Sequence, residues 1–582
     1  MSWKIFGLPV ASFAVTSILL TSPSLAQQNT PPAAPEAEPS QASPDAASRE
    51  AEPTEAELQS FYDERLKTAP DNVKQLLARL QAQRRQGLGF RMGYTSALDR
   101  TLSQLTGNRP ERSPEIRAEQ IRRANQDMQL YRSTHPNQRR ASQCDANARS
   151  FNWRDVGMVT PIRDQKDCGS CWAFASSAVF ESSSLIENNS TRDVSEQDVM
   201  DCAVSWSGCE GANWSDAFSY IEVDGAAPQS SLPYEARNRQ CRSGIARPYH
   251  AVASAPLSAD WQHIPSPKEI KSALCEHGPL YTGIIATNTF MAYAGGVYSQ
   301  VEHVDFDSEG GHAIVIVGWD DSKRAWRIKN SWGTGWGERG YAWIKYGANL
   351  IGHDTAWMQA ADESFVAPPP RVAGLTLAAV PRTAAFAQNL NAPTMVRIQD
   401  VDPASYAALA GIKPGMTVLD IAETQVATPS QLIAAFRTAK SAGETEVAMT
   451  IANEAGVQQP WKLPVADAAQ TGGTLGLTLA LANRTDKFPH SAWEHTMAVI
   501  TKVDPDSEAM KQGLKPGMVV LGVGSTEVRT PLDFVAAIEE LKKTAAPTAW
   551  LDVYDEAGAA MPTVALALPQ DTAARRVSRS RP

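Results

Sequence analysis

Apolar side chains at Val73, Leu76, Leu77 and Leu80 recur at i, i+3, i+4 and i+7, with Lys74, Gln75 and Arg79 between them. That period places one apolar stripe on a helix, and it sits in a segment, 59–143, whose patterning is helical. Trp172, Ala175 and Val179 fall at i, i+3 and i+7 of CWAFASSAVFESSSLIE. They predict a buried helix with Cys171 in its first turn. AIVIVGW at 313–319 is a continuous apolar run, the pattern of a strand buried on both faces. Residues 27–58 have no such period and are rich in Pro, Ala, Glu and Ser, which predicts disorder. Pro368-Pro369-Pro370 marks a stiff linker after a stretch, 144–362, dense in Trp, Gly and Cys. At 582 residues the chain is too long for one core and predicts several domains.

The C-terminal part repeats itself. GLTL stands at 374–377 and 476–479, AGIKPGMTVLDI (410–421) returns as QGLKPGMVVLGV (512–523), and Thr428-Pro429 returns as Thr530-Pro531, each 102 residues on. The repeat predicts two tandem modules, 371–467 and 472–569. Each runs strand, short helix, Gly-x-Lys-Pro-Gly turn, strand, Thr-Pro-capped helix and final hairpin. Residues 570–582, with four arginines, predict a disordered basic tail.

Composition changes this picture little. The chain is 43% hydrophobic and 20% charged, and its net charge of −10 with pI near 5.5 argues against nucleic-acid binding through a basic face. The distribution says more: residues 51–143 carry 16 Lys and Arg against 11 Asp and Glu, so a basic segment precedes an acidic remainder on which it could dock. Residues 1–26 combine Lys4, an apolar run to Leu20 and Ser24-Leu25-Ala26, the pattern of a cleavable secretory signal. The run is short for a membrane span, and no later segment of the mature chain is apolar enough to be one.

Export bears on the seven cysteines, 144, 168, 171, 202, 209, 241 and 275. In an oxidising compartment most should pair, and seven leaves one over. Cys168 and Cys171 stand three residues apart. That spacing suits a redox dithiol, half a metal site, or a structural cysteine just ahead of a catalytic one.

Thiol catalysis needs an ionisable cysteine, an imidazole to move its proton, a group to hold the imidazole and donors for the oxyanion. Cys171 begins a helix, where the dipole favours a thiolate; His312 heads a buried strand; Asn330 lies among glycines and tryptophans. The stretches DQKDCGSCWAF (164–174), GCEG (208–211), GGHAIVIVGW (310–319) and KNSWGTGWGERGY (329–341), in that order, resemble the papain family of cysteine proteases over about 150–360. The resemblance implies a two-part catalytic fold, helical on one side and a β-barrel on the other, with the site in the cleft between. It implies Cys171 as nucleophile, His312 as general base and acid, Asn330 as its orienter, Gln165 as oxyanion donor and Trp332 as a shield over the His–Asn bond. It also pairs Cys168 with Cys209 and Cys202 with Cys241, which leaves Cys144 and Cys275 for a third bridge outside the family pattern.

Two positions depart from that pattern. After Gly211 the family has a second glycine that pairs with bound peptide, where this chain has Ala212. The residue before the histidine is Gly311 rather than the acidic or amide residue of plant members. Residues 59–143 occupy the place of an inhibitory propeptide, GFRMGYTSALDRTLSQLTG (89–107) is faintly similar to a propeptide core, and Arg139-Arg140 offers a processing point.

The tandem modules resemble PDZ domains of HtrA-type proteases, through Asp402-Pro403 with Ala410–Gly415 and Asp504-Pro505 with Gln512–Gly517. Such domains take C-terminal peptides by strand addition. The carboxylate loops would be Val372-Ala373-Gly374-Leu375 and Thr474-Leu475-Gly476-Leu477, the second matching the pattern better. The expectation is a multidomain α+β protein: an exported endopeptidase of a bacterial periplasm or medium, with protein or peptide substrates and C-terminal peptides as partners, without metal or cofactor. The competing expectations are an inactive peptide-binding adaptor and a Cys-x-x-Cys oxidoreductase.

Overall fold

A computed structural model describes residues 52–83, 89–135, 143–204, 207–301, 310–387, 390–402, 405–444, 446–465, 470–483, 487–488, 496–544 and 546–568. The signal 1–26, residues 27–51 of the stretch expected to be disordered, Arg139-Arg140, the tail 570–582 and Pro403 of the repeat signature lie outside them.

The N-terminal segment contains α1 (Glu55–Thr68), α2 (Asp71–Gln83), β1 (Phe90–Met92), α3 (Leu102–Leu105) and α4 (Pro114–Thr134). The expectation of disorder through residue 58 is corrected at its end, because α1 starts at Glu55. Thr54 accepts from the Glu57 N–H while the Glu57 carboxylate accepts from the Thr54 N–H at 2.7 Å, a reciprocal cap that fixes the first turn. Leu58 and Tyr62 bury that helix against Ala294. On α2, Val73 and Leu77 enter the main core, with Leu76 and Leu80 packed at its margin. Ser113 caps α4 by accepting from the Ile116 N–H, and Pro114 takes the first helical position, where its missing N–H costs nothing.

The middle of the chain follows as β2 (Ser150–Asn152), α5 (Cys171–Asn188), α6 (Glu196–Ala203), α7 (Trp214–Val223), β3 (Ala251–Pro256), α8 (Pro267–His277), β4 (Leu280–Ile285), α9 (Asn288–Met291), β5 (Tyr293–Tyr298), β6 (Gly311–Asp320), β7 (Ala325–Lys329), β8 (Tyr341–Lys345) and β9 (His353–Ala360). Its strands form a sheet ordered β1-β5-β8-β7-β6-β4-β9-β3, with β2 on β6. The N-terminal strand β1 thus completes one edge, antiparallel to β5. Alternation along β6 explains its unbroken apolar run. Ile314 and Ile316 face one core cluster, while Ala313, Val315 and Val317 face another built with α5, α6 and α7. Disulfides join Cys168 to Cys209, Cys202 to Cys241 and Cys144 to Cys275. In the chain-entropy picture each removes roughly 4–5 kcal/mol of unfolded-state freedom.

The first C-terminal module contains β10 (Arg371–Val372), β11 (Leu375–Pro381), β12 (Thr394–Val401), α10 (Tyr406–Leu409), β13 (Thr417–Ile421), β14 (Thr424–Gln425), α11 (Pro429–Ser441), β15 (Glu446–Ala452) and β16 (Gln458–Pro464). The second repeats it as β17 (Gln470–Thr474), β18 (Leu477–Asn483), β19 (Thr496–Val503), α12 (Glu508–Lys511), β20 (Val519–Val523), β21 (Thr526–Glu527), α13 (Pro531–Lys543), β22 (Thr548–Tyr554) and β23 (Val564–Ala567). Its first strand begins at Gln470, two residues before the boundary that the repeat predicts. The first module seats α11 on the middle part of the chain: the Ser430 N–H donates to Asp224 at 3.1 Å, Gln431 to the Cys202 carbonyl at 3.0 Å, and Arg437 to Ser219 at 3.0 Å.

Candidate active site

Cys171 is the first residue of α5, a helix buried over nearly its whole length. Its N-cap, Ser170, makes no side-chain capping bond, and while the Ala173 N–H donates to the Ser170 carbonyl at 2.9 Å, the Cys171 and Trp172 N–H groups act on the sulfur. The Ala313 N–H donates to Cys171 Sγ at 3.4 Å. This brings the thiol to the residue that follows His312. Cys171 is the one free cysteine among those described, so Cys168 and Cys171 do not form a dithiol.

His312 lies on β6 opposite Ile284 of β4, and its Nε2 bonds Asn330 Oδ1 at 2.8 Å. Because an amide oxygen only accepts, Nε2 carries the hydrogen and Nδ1 is the basic nitrogen. Nδ1 is buried without a hydrogen-bond partner among the described residues. The fully buried Trp332 stacks on the imidazole with ring centroids 4.5 Å apart. Asn330 is fixed from both sides. Its backbone N–H donates to Gly340 at 3.0 Å, and its Oδ1 also accepts from the Ser331 N–H at 2.8 Å.

Gln165 is fully buried. Ser331 Oγ donates to its Oε1 at 2.7 Å, which turns Nε2 toward the Cys168 carbonyl at 2.9 Å and the Leu105 carbonyl at 3.2 Å. That second acceptor belongs to the N-terminal segment, within the propeptide-like stretch 89–107, although nothing in the sequence pairs it with Gln165. Residues 105–109 run straight through the site. The Gly107 and Asn108 N–H groups donate to the Gly311 carbonyl, the Ala212 N–H to the Gly107 carbonyl and the Arg109 N–H to the Ala212 carbonyl, all at 3.0 Å. Asn108 and Ala212 form a parallel bridge. The methyl of Ala212 therefore leaves the pairing edge of the cleft usable. Glycine is required along this track: a Cβ on Gly211 would meet the Gly107 carbonyl oxygen at 2.3 Å, and one on Gly169 the Thr106 carbonyl oxygen at 2.5 Å.

The covered site is electrically silent. Burial pushes the Cys171 thiol up to about 12, against the backbone N–H groups of Ala313, Trp172 and Gly107. Burial likewise lowers His312 to about 4, although its bond to Asn330 and the nearby Leu105 carbonyl favour protonation. Near neutral pH both groups are uncharged. The basic segment is also pinned by charge, with Arg100 on Asp164 and Asp167 at 3.0 Å and Arg123 on Glu222.

In the C-terminal modules the two expected carboxylate loops form tight hairpin turns. Ala373 and Gly374 have φ of 50° and 76°, Leu475 and Gly476 of 55° and 77°, so Val372 pairs with Leu375 and Thr474 with Leu477. A Cβ on Gly374 would lie 2.1 Å from that of Ser405.

The family model described as papain family cysteine protease matches residues 147–361. Digestive cysteine proteinase 3 of Homarus americanus is 34% identical over 198 residues, covering 33% of this chain and 60% of that protein. Cathepsin K of Mus musculus is 34% identical over 206 residues, covering 34% and 60%. The match thus spans about 60% of the length of these curated relatives. Among solved structures, the bromelain protease of Ananas comosus is 28% identical and covers 36% of this chain and 99% of that one, with a TM-score of 0.32. Digestive procathepsin L 3 of Tenebrio molitor is 24% identical and covers 52% and 90%, with a TM-score of 0.37. Residues 147–361 form a domain of the papain family of cysteine proteases.

Proposed function

We propose that the chain is a papain-like cysteine endopeptidase, held inactive by its own N-terminal segment until that segment is removed. The observation that carries the reading is the buried His312–Asn330 bond under Trp332, set beside a free cysteine at the start of α5. With the cleft open, His312 Nδ1 takes the Cys171 proton, and the thiolate adds to a substrate carbonyl carbon. The oxyanion is met by Gln165 Nε2 and the Cys171 N–H. Imidazolium then protonates the departing amine, leaving a thioester. Water, deprotonated by His312, adds to the thioester carbon and expels Cys171, which releases the acid.

Residues 105–109 block this sequence without serving as substrate. Leu105 offers its carbonyl to Gln165, and the strand pairs parallel to 211–213, opposite to the direction in which we place a productive peptide. Three disulfides suit an exported protein, and we assign it to a bacterial periplasm or medium. The test of the activity is hydrolysis of unfolded casein after limited proteolysis has cut the chain between α4 and β2. Hydrolysis that begins with the cut and stops on thiol alkylation supports the reading; none in the cut chain contradicts it.

The C-terminal modules, read as PDZ-like, would recruit partners through extended C-terminal peptides. The first is the better candidate, contrary to the sequence pattern. Beyond Leu377 the outer edge of β11 has no paired strand among the described residues, whereas β17 pairs along β18 from Leu477 to Ala480. Peptides with a free apolar C-terminus should bind the full chain at least about tenfold tighter than their amides, which lose a charge-assisted contact. Equal affinities would sink C-terminal recruitment.

A further inference from the structure

Nine residues beyond Asn108, the residue bridged to Ala212, Arg117 of α4 turns back into the protein. Its guanidinium is buried against the Asp354 carboxylate on β9, also buried. Arg117 also donates to the carbonyls of Ser258 at 2.9 Å and Glu111 at 3.1 Å, and its guanidinium carbon lies 5.7 Å from the centre of the Trp214 ring. Trp214 Nε1 holds Asp354 Oδ1 at 2.9 Å, while Asp354 Oδ2 has no hydrogen-bond partner among the described residues.

The pocket adjoins the cleft. Trp214 follows Ala212 by two residues, and Asn108, the residue bridged to Ala212, accepts from the Tyr281 hydroxyl at 2.5 Å. Tyr281 lies within electrostatic reach of both Cys171 and Asp354. Two residues of the N-terminal segment thus lie along this path, Asn108 on Ala212 and Arg117 on Trp214 and Asp354.

Departure of the segment would leave Asp354 buried and unpaired, a costly state that another cation relieves. We propose that, in the processed enzyme, Asp354 and Trp214 form a specificity pocket for an arginine or lysine side chain of the substrate, carried by the residue whose backbone pairs with Ala212. The proposal rests on the peptidase reading and adds its substrate class: chains with a basic residue at that one position. In the intact chain burial raises Asp354 only to about 6, because the Arg117 guanidinium and the Trp214 N–H hold its carboxylate down, and a substrate cation in place of Arg117 would restore that charge partner.

The test compares peptides that differ only there, bearing arginine, the neutral isostere citrulline or leucine, with the full chain cut between α4 and β2 as enzyme. The expected kcat/KM for arginine exceeds that for citrulline by on the order of 30-fold, as for a buried ionic contact left unmade. The ratio falls toward one in Asp354→Asn, a change that keeps a side chain tolerant of the left-handed backbone at φ 49°. Equal rates for arginine and citrulline peptides in the unsubstituted enzyme, while casein is still hydrolysed, would overturn the pocket and leave the peptidase reading standing. That comparison needs no variant, so it decides even if Asp354→Asn fails to fold.

Discussion

Replacing Cys171 with alanine is expected to lower casein hydrolysis by the processed chain on the order of 10⁴- to 10⁶-fold, the scale for removing a nucleophile that works as a unit with its base. The six other cysteines are locked in disulfides, so no neighbouring thiol can substitute. Cys171 lies in a helix, where alanine is well tolerated, and the loss should appear in kcat with thermal stability preserved. Activity within tenfold of the parent would exclude Cys171 as nucleophile. It would return Cys168 and Cys171 to the redox and metal readings that their spacing alone allows.

The second large effect is expected in the uncut chain. A Cβ on Gly107 would lie 1.9 Å from the Gly169 carbonyl oxygen, a backbone atom fixed by the neighbouring disulfide of Cys168. Gly107→Val should therefore lift residues 105–109 from the cleft. With an overpacking cost of about 2 kcal/mol, the open fraction rises about 30-fold, and alkylation of Cys171 without any cut rises with it. Val at the exposed Gln59 of α1 is the control and should leave the rate unchanged. An unchanged rate in Gly107→Val would mean that the segment does not gate the thiol.

The parts of the site visible in the sequence are those where one side chain does one chemical task in a contiguous motif: Cys171, His312, Asn330, Gln165 and Trp332 each stand in such a stretch. The position of 59–143 and the stretch 89–107 pointed to the blocking segment but not to its contacts, because its hold on the cleft is made by backbone groups. Leu105, Gly107 and Asn108 pair through carbonyls and N–H groups with Gln165, Gly311 and Ala212, and only Gly107 leaves a trace in residue type. The start of α1 was present as the Thr54–Glu57 cap but outweighed by the composition of 27–58. The difference between the modules depends on whether a strand some residues away pairs with the edge, which a 102-residue repeat cannot encode. Arg117 reads as one more charge on an amphipathic helix until the fold sets Asp354, 237 residues later, against it.

The central claim is that Cys171 is a catalytic thiol paired with His312 and silenced by residues 105–109. The most direct test is the pH profile of Cys171 alkylation, located by mass spectrometry, in the intact chain and after the cut. In the intact chain the thiol, pushed up to about 12, should stay unlabelled across the neutral range. In the cut chain it should label near pH 5, because pairing with an imidazole takes a thiol to roughly 3–4. A cut chain whose labelling instead rises about pH 8.5, as for a free cysteine, would contradict the account.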